Sequence, residues 1–237
     1  MTSPPAVANV TLAGMREGAW LCLPLIPGTI MMSAAFGAIA AQKGMTLLEA
    51  VLTSGLMFAG AAQLVAMEVW NNVWTIGTIV ALALVAATVN MRYILMGAAL
   101  QPWLTGMPRG RIAAILFLLV DATWIMAMRY RSEGGSDAGI MAGGGATMWA
   151  FWVAGTVPGY LLGDLVRNPQ RFGLDLVVPI FFAAMLVPLW RGRRRAIGWL
   201  VAGAVAWAVA HLIGGYWYII VGAIVGSIAG AFLDERR

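Results

Sequence analysis

The sequence predicts an all-α polytopic membrane protein of about eight transmembrane helices, with seven as the competing count. The chain is 61% hydrophobic and only 11% charged, with a mean hydropathy of +0.84. A soluble domain carries about 25% charged residues, so this chain could not cover its own surface with them. Apolar runs of roughly 18 residues or more recur from end to end, long enough to cross a bilayer as helices. The 29 glycines fit the same class. Small residues let helices approach closely where lipid leaves no hydrophobic drive between them.

In order, the spans read about 18–41, 46–70, 73–100, 111–129, 144–166, 172–190, 195–212 and 215–234. Only "HLIGGYWY" separates the last pair, which is why seven stays in contention. All belong to one membrane domain, 1–237. Residues 1–17 precede the first span and read as a cytoplasmic segment; they lack the apolar core and cleavage site of a removable signal peptide.

The net charge of +5 is carried by basic residues that, Lys43 apart, are all arginines. In a soluble protein that balance would suggest nucleic acid. Here no nucleic-acid partner is expected, because the charges sit mostly in short gaps and orient the spans. Arg16, Arg129, Arg131, the "RGRRR" cluster and the terminal arginine pair fall on one side. Lys43, Arg109, Arg111, Arg167 and Arg171 fall on the other. The heavier side marks the cytoplasm, which places both termini inside.

The first span is interrupted by "LPLIPGT". Pro24 and Pro27 each remove a backbone donor, and Gly28 relaxes the chain before Thr29. Either the helix breaks there, with a second half starting near Gly28 and aiming its amides at an anion, or the prolines only kink it. A break should interrupt the hydrogen-bond ladder between Pro24 and Thr29, and bulk at Gly28 should then impair transport more than bulk at Gly37.

In the second span, Glu49, Thr53, Leu56, Gly60 and Gln63 are spaced to share one face of a continuous helix. Glu49 has a competing role, because "TLLE" from Thr46 is a capping box. Gln63 lies deeper and has no cap to make. In the third span Arg92 ends a long apolar run; it either snorkels to the interface or pairs with an intramembrane acid or a substrate carboxylate. Asn90 lies about 200° from Arg92 around an ideal helix, so the two face one cavity only if the helix distorts. Asp121, mid-span in "LFLLVDATWIMAM", is the natural internal partner by depth, and such an acid can carry a proton or fix the bundle. Asp175 can cap its own helix.

A candidate internal repeat links "PGTIMMSAAFGAIAAQKG" from Pro27 with "AGTVPGYLLGDLVRNPQRFG" from Ala154. The offset is about 127 residues, and four spans per half would keep both copies in one orientation. Cys22 alone can form neither an internal disulfide nor a thiolate cluster. No GxxxxGK[ST] loop or His/Cys cluster is present, so neither an enzyme nor a cofactor or metal site is expected. Ser54 and His211 have no hydrolase motif around them.

With those residues in place, the chain resembles the AzlC family, the large subunit of bacterial branched-chain amino-acid exporters. The likeness rests on "LPLIPGTIMMSAAFGAIAAQKGMT", "SGLMFAGAAQLVA", "NMRYILMGAALQPWL" and "GLDLVVPIFFAAML", in that order. The family's FAGxxQ element falls on Phe58, Ala59, Gly60 and Gln63, and its NxRY/H element on Asn90, Arg92 and Tyr93. The resemblance implies ion-driven export of leucine, isoleucine, valine or their analogues across a bacterial inner membrane, with a separate small membrane subunit of the AzlD type. A pore-forming channel and a scaffold subunit for another transporter are the alternatives. A zwitterionic substrate needs donors for its carboxylate and acceptors for its ammonium. The substrate-binding candidates are Gly28, Thr29, Gln63, Asn90 and Arg92, with Asp121 as the proton carrier.

Overall fold

In a computed structural model of the chain, the described residues are 9–70, 73–165, 180, 183, 192–212 and 217–234. The sixth expected span apart from residues 180 and 183, Asp175 within it, and the second copy of the candidate repeat from residue 166 onward lie outside them.

Helix α1 (Leu12–Cys22) passes through a 3-10 turn (Leu23–Leu25) into α2 (Ile26–Gln42). Backbone dihedrals stay in the right-handed helical region from Cys22 to Ile26. The interruption expected at the prolines is therefore present, but as one tightened turn, slightly earlier than Gly28. Pro24 lacks the amide that an α-helical turn needs, and a 3-10 turn absorbs the loss without unwinding.

The second span is where the chain truly breaks. Helix α3 (Leu47–Met57) begins at the Thr46–Glu49 capping box, with the Thr46 amide donating to Glu49 Oε2 at 2.7 Å and the Glu49 amide to Thr46 Oγ1 at 3.2 Å. It ends at Phe58, whose φ of 34° makes it the only non-glycine residue of positive φ among those described. Ala59 is non-helical, and α4 (Gly60–Val69) starts afresh. A left-handed residue that is not glycine costs roughly 1–2 kcal/mol, so packing around Phe58 must hold it there; its side chain is buried. The expected seam from Glu49 to Gln63 is thereby corrected. Helical spacing does not carry across a break, and Leu56 is 72% exposed while Gln63 is fully buried.

The third span is the continuous α5 (Ile76–Leu104). The fourth is again two pieces, α6 (Arg109–Phe117) and α7 (Asp121–Ser132), separated at residues 118–120. The fifth is α8 (Gly139–Leu165). Leu12–Gln42, Ile76–Leu104 and Gly139–Gly163 are each long and apolar enough to cross a membrane. The α3/α4 and α6/α7 pairs each occupy a single expected span as two half-helices.

Helices α2 and α8 run parallel, because their contacts advance together: Gly155 lies against Ile30 and Ser33, Gly159 against Ala34, and Gly163 against Ala38. Parallel packing is what a repeat with four spans per half requires. The spacing there is set by glycine. A Cβ on Gly37 would stand 2.2 Å from the Thr156 carbonyl oxygen, whereas one on Gly28 would meet nothing within 4 Å. Bulk at Gly37 would therefore disturb the packing of α2 on α8, whereas bulk at Gly28 would not. Asp137 ties the starts of α1 and α8 together: it accepts from the Thr11 amide at 3.1 Å, the Thr11 hydroxyl and the Gly139 amide at 2.8 Å. Thr11 in turn caps α1 by accepting from the Gly14 amide.

The last described elements, α9 (Arg193–Leu212) and α10 (Trp217–Asp234), are two helices. Gly198 meets Gly230, Ala202 meets Gly226 and Ala206 meets Gly222, so they pack antiparallel. The pair is therefore two helices and not one. Large apolar side chains on the outside, such as Ile94 at 72% and Leu95 at 74% exposure, suit lipid rather than water.

Candidate functional site

Four of the residues expected to act at depth, Gly28, Thr29, Arg92 and Asp121, line a cavity of about 330 Å³ at the start of α2, near the middle of α5 and α8 and at the two helix breaks. That volume is at the small end of the roughly 300–1,000 Å³ typical of small-molecule sites. Its walls are largely apolar, with Leu25, Met32, Phe58 and Met148 among them. Its charged end is an ion pair: Arg92 Nη2 lies 3.0 Å from Asp121 Oδ2. This contact accounts for an arginine in an apolar run. Arg92 sits mid-helix and faces a carboxylate, rather than reaching for the interface. Its guanidinium carbon also lies 5.3 Å from the centre of the Tyr93 ring, a weak cation–π contact.

Asp121 is the first residue of α7. A carboxylate at a helix N-terminus is favoured by the amides that have no partner in the preceding turn. The turn before it is closed by Thr123, whose hydroxyl oxygen accepts from the Val120 amide at 3.0 Å. The pair is only partly shielded, with side chains 29% and 40% exposed. It therefore remains accessible to a ligand in the cavity.

Gly28 and Thr29 also line the cavity. The Thr29 hydroxyl, however, donates to the Leu25 carbonyl at 3.0 Å, inside its own helix. The other two candidates are not brought to the site. Gln63 lies behind it in a buried chain of hydrogen bonds: Gln63 Nε2 to Ser54 Oγ at 3.3 Å, Ser54 Oγ to Thr156 Oγ1 at 2.8 Å, and Thr156 Oγ1 to the Trp152 carbonyl at 3.0 Å. Each hydroxyl there can donate onward once, so the chain has a consistent direction. It joins both halves of the broken second span to α8. Asn90 is not among the cavity-lining residues, as expected for a position about 200° from Arg92 on a continuous helix.

Three features of the site were not foreseen from sequence: the break at Phe58–Ala59, the break at residues 118–120, and Trp152. Trp152 lines the cavity and packs over Gly60, where a Cβ would stand 2.3 Å from its ring. Gly60 within "FAG" was a weak signal for the first break, and Asp121 as a first-turn acid a signal for the second. Trp152 carried none.

Fold and site together define an all-α polytopic membrane protein with a mid-span cavity where discontinuous helices meet. The AzlC protein family matches residues 24–166, and the chain belongs to that family. Family membership supports a role related to membrane transport. The chain is similar to an uncharacterized membrane protein of Archaeoglobus fulgidus, 27% identical over 226 residues covering 94% of each chain. It is also similar to the inner membrane protein YgaZ of Escherichia coli, 27% identical over 195 residues covering 78% of this chain and 76% of that one. No solved structure matches it.

Proposed function

We propose that the chain is a secondary-active exporter of branched-chain or other hydrophobic amino acids, driven by protons and working with a small membrane subunit of the AzlD type. It lies in a bacterial inner membrane with both termini in the cytoplasm. The observation that carries this reading is the Arg92–Asp121 pair on an otherwise apolar cavity of amino-acid size at mid-span. An aliphatic side chain suits the apolar walls, while a zwitterionic head needs both signs of charge nearby. Substrate sites of secondary transporters lie near the bilayer midplane, where discontinuous helices meet.

In this reading Asp121 receives the substrate ammonium and carries the coupling proton. Arg92 pairs with Asp121 until a proton or a substrate competes for the carboxylate. Loading a proton from one side and a substrate from the other thus draws on one group, which is how antiport avoids a leak. The test is uptake of labelled leucine into inside-out vesicles, with and without the small subunit. Saturable uptake that rises when the vesicle lumen is made acid supports the proposal. Non-saturable flux without counterflow would make the protein a channel, and flux that persists without this chain would make it a scaffold.

A further inference from the structure

The ends of the long helices fix which way each one runs. Leu100 and Leu104, at the end of α5, pack in one apolar cluster with Val10, just before α1, and with Ile140 and Met141 at the start of α8. The end of α5 therefore lies on the membrane face where α1 and α8 begin. Leu12–Gln42 and Ile76–Leu104 are each long and apolar enough to cross the bilayer. So α2 ends, and α5 starts, on the other face. The α3–α4 segment joins those two points and must leave and return on one face. The α6–α7 segment joins the end of α5 to the start of α8 and must do the same on the opposite face.

Contacts along both segments agree. The Met45 carbonyl, just before α3, accepts from the Tyr160 hydroxyl at 2.7 Å toward the far end of α8. The Gly55 carbonyl, near the end of α3, accepts from Trp149 Nε1 at 2.9 Å closer to the middle of α8. Helix α4 then goes back, since Leu64 and Met67 pack with Ile39, Ala40 and Met45. In the other segment Leu116 of α6 lies beside Gly97, and α7 then follows α5 in its own chain direction. Asp121 meets Arg92, the Trp124 indole N–H meets the Met96 carbonyl at 3.3 Å, and Arg131 Nη1 meets the Ala99 carbonyl at 3.4 Å. Half-helices of 9 to 12 residues are about 14–18 Å long at about 1.5 Å per residue, roughly half of a ~30 Å hydrocarbon core. Backbone that stops at that depth is tolerated where protein or a cavity receives it. Phe58, Gly60, Val120 and Asp121, at the two tips, line the same cavity.

We infer that α3–α4 and α6–α7 are re-entrant hairpins, not spans, that enter from opposite faces and meet tip to tip at the cavity, each forming the gate between the cavity and its own face. Helix α2 with the first hairpin and α5 with the second are then one unit repeated upside down, the inverted plan of many secondary transporters. The charges up to residue 165 fit this plan. With both segments as spans, Arg16, Arg129 and Arg131 would face one side and Lys43, Arg109 and Arg111 the other. With both as hairpins, those five arginines share the face of the N-terminus and Lys43 lies opposite, a far sharper form of the positive-inside bias. The expected outer placement of Arg109 and Arg111 is thereby reversed. The hairpins follow from packing alone; the gate role rests on the transport reading.

The experiment places single cysteines in a Cys22→Ala background and labels them with a membrane-impermeant maleimide in right-side-out and inside-out vesicles. All four positions are exposed. Thr105→Cys and Ser136→Cys, at the roots of α6–α7, should label from one face, and Gln42→Cys and Val73→Cys, at the roots of α3–α4, from the other. Labelling of Thr105→Cys from the same face as Gln42→Cys, or of Val73→Cys from the same face as Ser136→Cys, makes the segments spans and overturns the inference. Cysteine pairs then test the gates. Gly55→Cys with Val153→Cys pins α3 to α8, and Gly97→Cys with Leu116→Cys pins α6 to α5, at places where a new side chain has room. A short bismaleimide across either pair should stop the leucine counterflow that the unlinked variants retain. Counterflow that survives both cross-links overturns the gates and leaves the transport reading standing. Unlinked protein that moves no leucine removes the transport reading and the gate role with it, while the labelling pattern still decides the hairpins.

Discussion

The first and second spans differ in the opposite sense to their sequences. The first contains two prolines and a glycine within a few residues, yet it stays helical through a single 3-10 turn. The second contains no proline, yet it stops at Met57, turns through a left-handed phenylalanine and restarts at Gly60. Losing a backbone donor is a local event that a tighter turn can absorb. Opening a helix exposes several donors and acceptors at once, and at membrane depth that is tolerated only where protein or a cavity receives them. The second span has those recipients: Trp149 Nε1 donates to the Gly55 carbonyl at 2.9 Å, and the Gln63–Ser54–Thr156 chain fixes both halves to α8. At the corresponding turn of the first span the side-chain bond to the backbone is local, from the Thr29 hydroxyl to the Leu25 carbonyl.

The largest effect that tests this contrast compares equal bulk at the two sites. Gly60→Val puts a side chain into the Trp152 ring, and transport should fall to background, while Gly28→Val enters open space and should leave a folded protein with a smaller cavity and reduced transport. Vesicle transport with a melting curve for each variant checks both. Equal loss in the two would mean the second break has no special place in the site.

Next come the charges that face the break. Arg92→Ala should lower transport by about tenfold to a hundredfold without blocking insertion, since a charge-assisted bond is lost. Arg92→Lys should recover only part of it, because a point charge does not replace a planar fork. Asp121→Asn should abolish uptake driven by a pH gradient and spare part of leucine exchange, measured as counterflow. If both activities stay at wild-type levels, the proton is carried elsewhere.

Phe58→Gly sets two terms against each other. Glycine relieves roughly 1–2 kcal/mol of left-handed strain. It also empties a buried aromatic position, a change that costs about 3–5 kcal/mol in soluble cores and less where the unfolded reference stays in lipid. The packing term should win, with a net loss of about 1–3 kcal/mol in unfolding from bicelles. A stabilised variant would mean that Phe58 is held by something other than its packing. Smallest of all, Pro24→Ala returns an amide to the first span and should stabilise by no more than about 1–2 kcal/mol, well below the intrinsic difference of about 3, because the 3-10 turn has already absorbed most of the cost. Transport should be unchanged; a marked loss would show that the kink itself matters.

What was legible in the sequence follows from how local the signals are. Each expected span that falls on described residues is helical, and three are helices long and apolar enough to cross a membrane, because hydropathy over some twenty residues is a property of the segment alone. The Thr46–Glu49 box was readable for the same reason. Arg92 and Asp121 could be matched by depth, since each was costly without the other. Gln63 was misplaced because its face was reckoned on an unbroken helix. Asp137 was missed because its partner Thr11 lies 126 residues away in the chain, a distance at which a lone acid carries no hint of its role.

That same Asp137 has a mechanical consequence. By fastening the starts of α1 and α8 to one carboxylate, it gives two parallel rods a common footing, and the glycine contacts higher up leave no slack for one to slide along the other. They form a strut. Any exchange of access between the two sides of the membrane must then hinge on the half-helices and α5 moving against that strut, with the breaks at residues 58–59 and 118–120 as the joints.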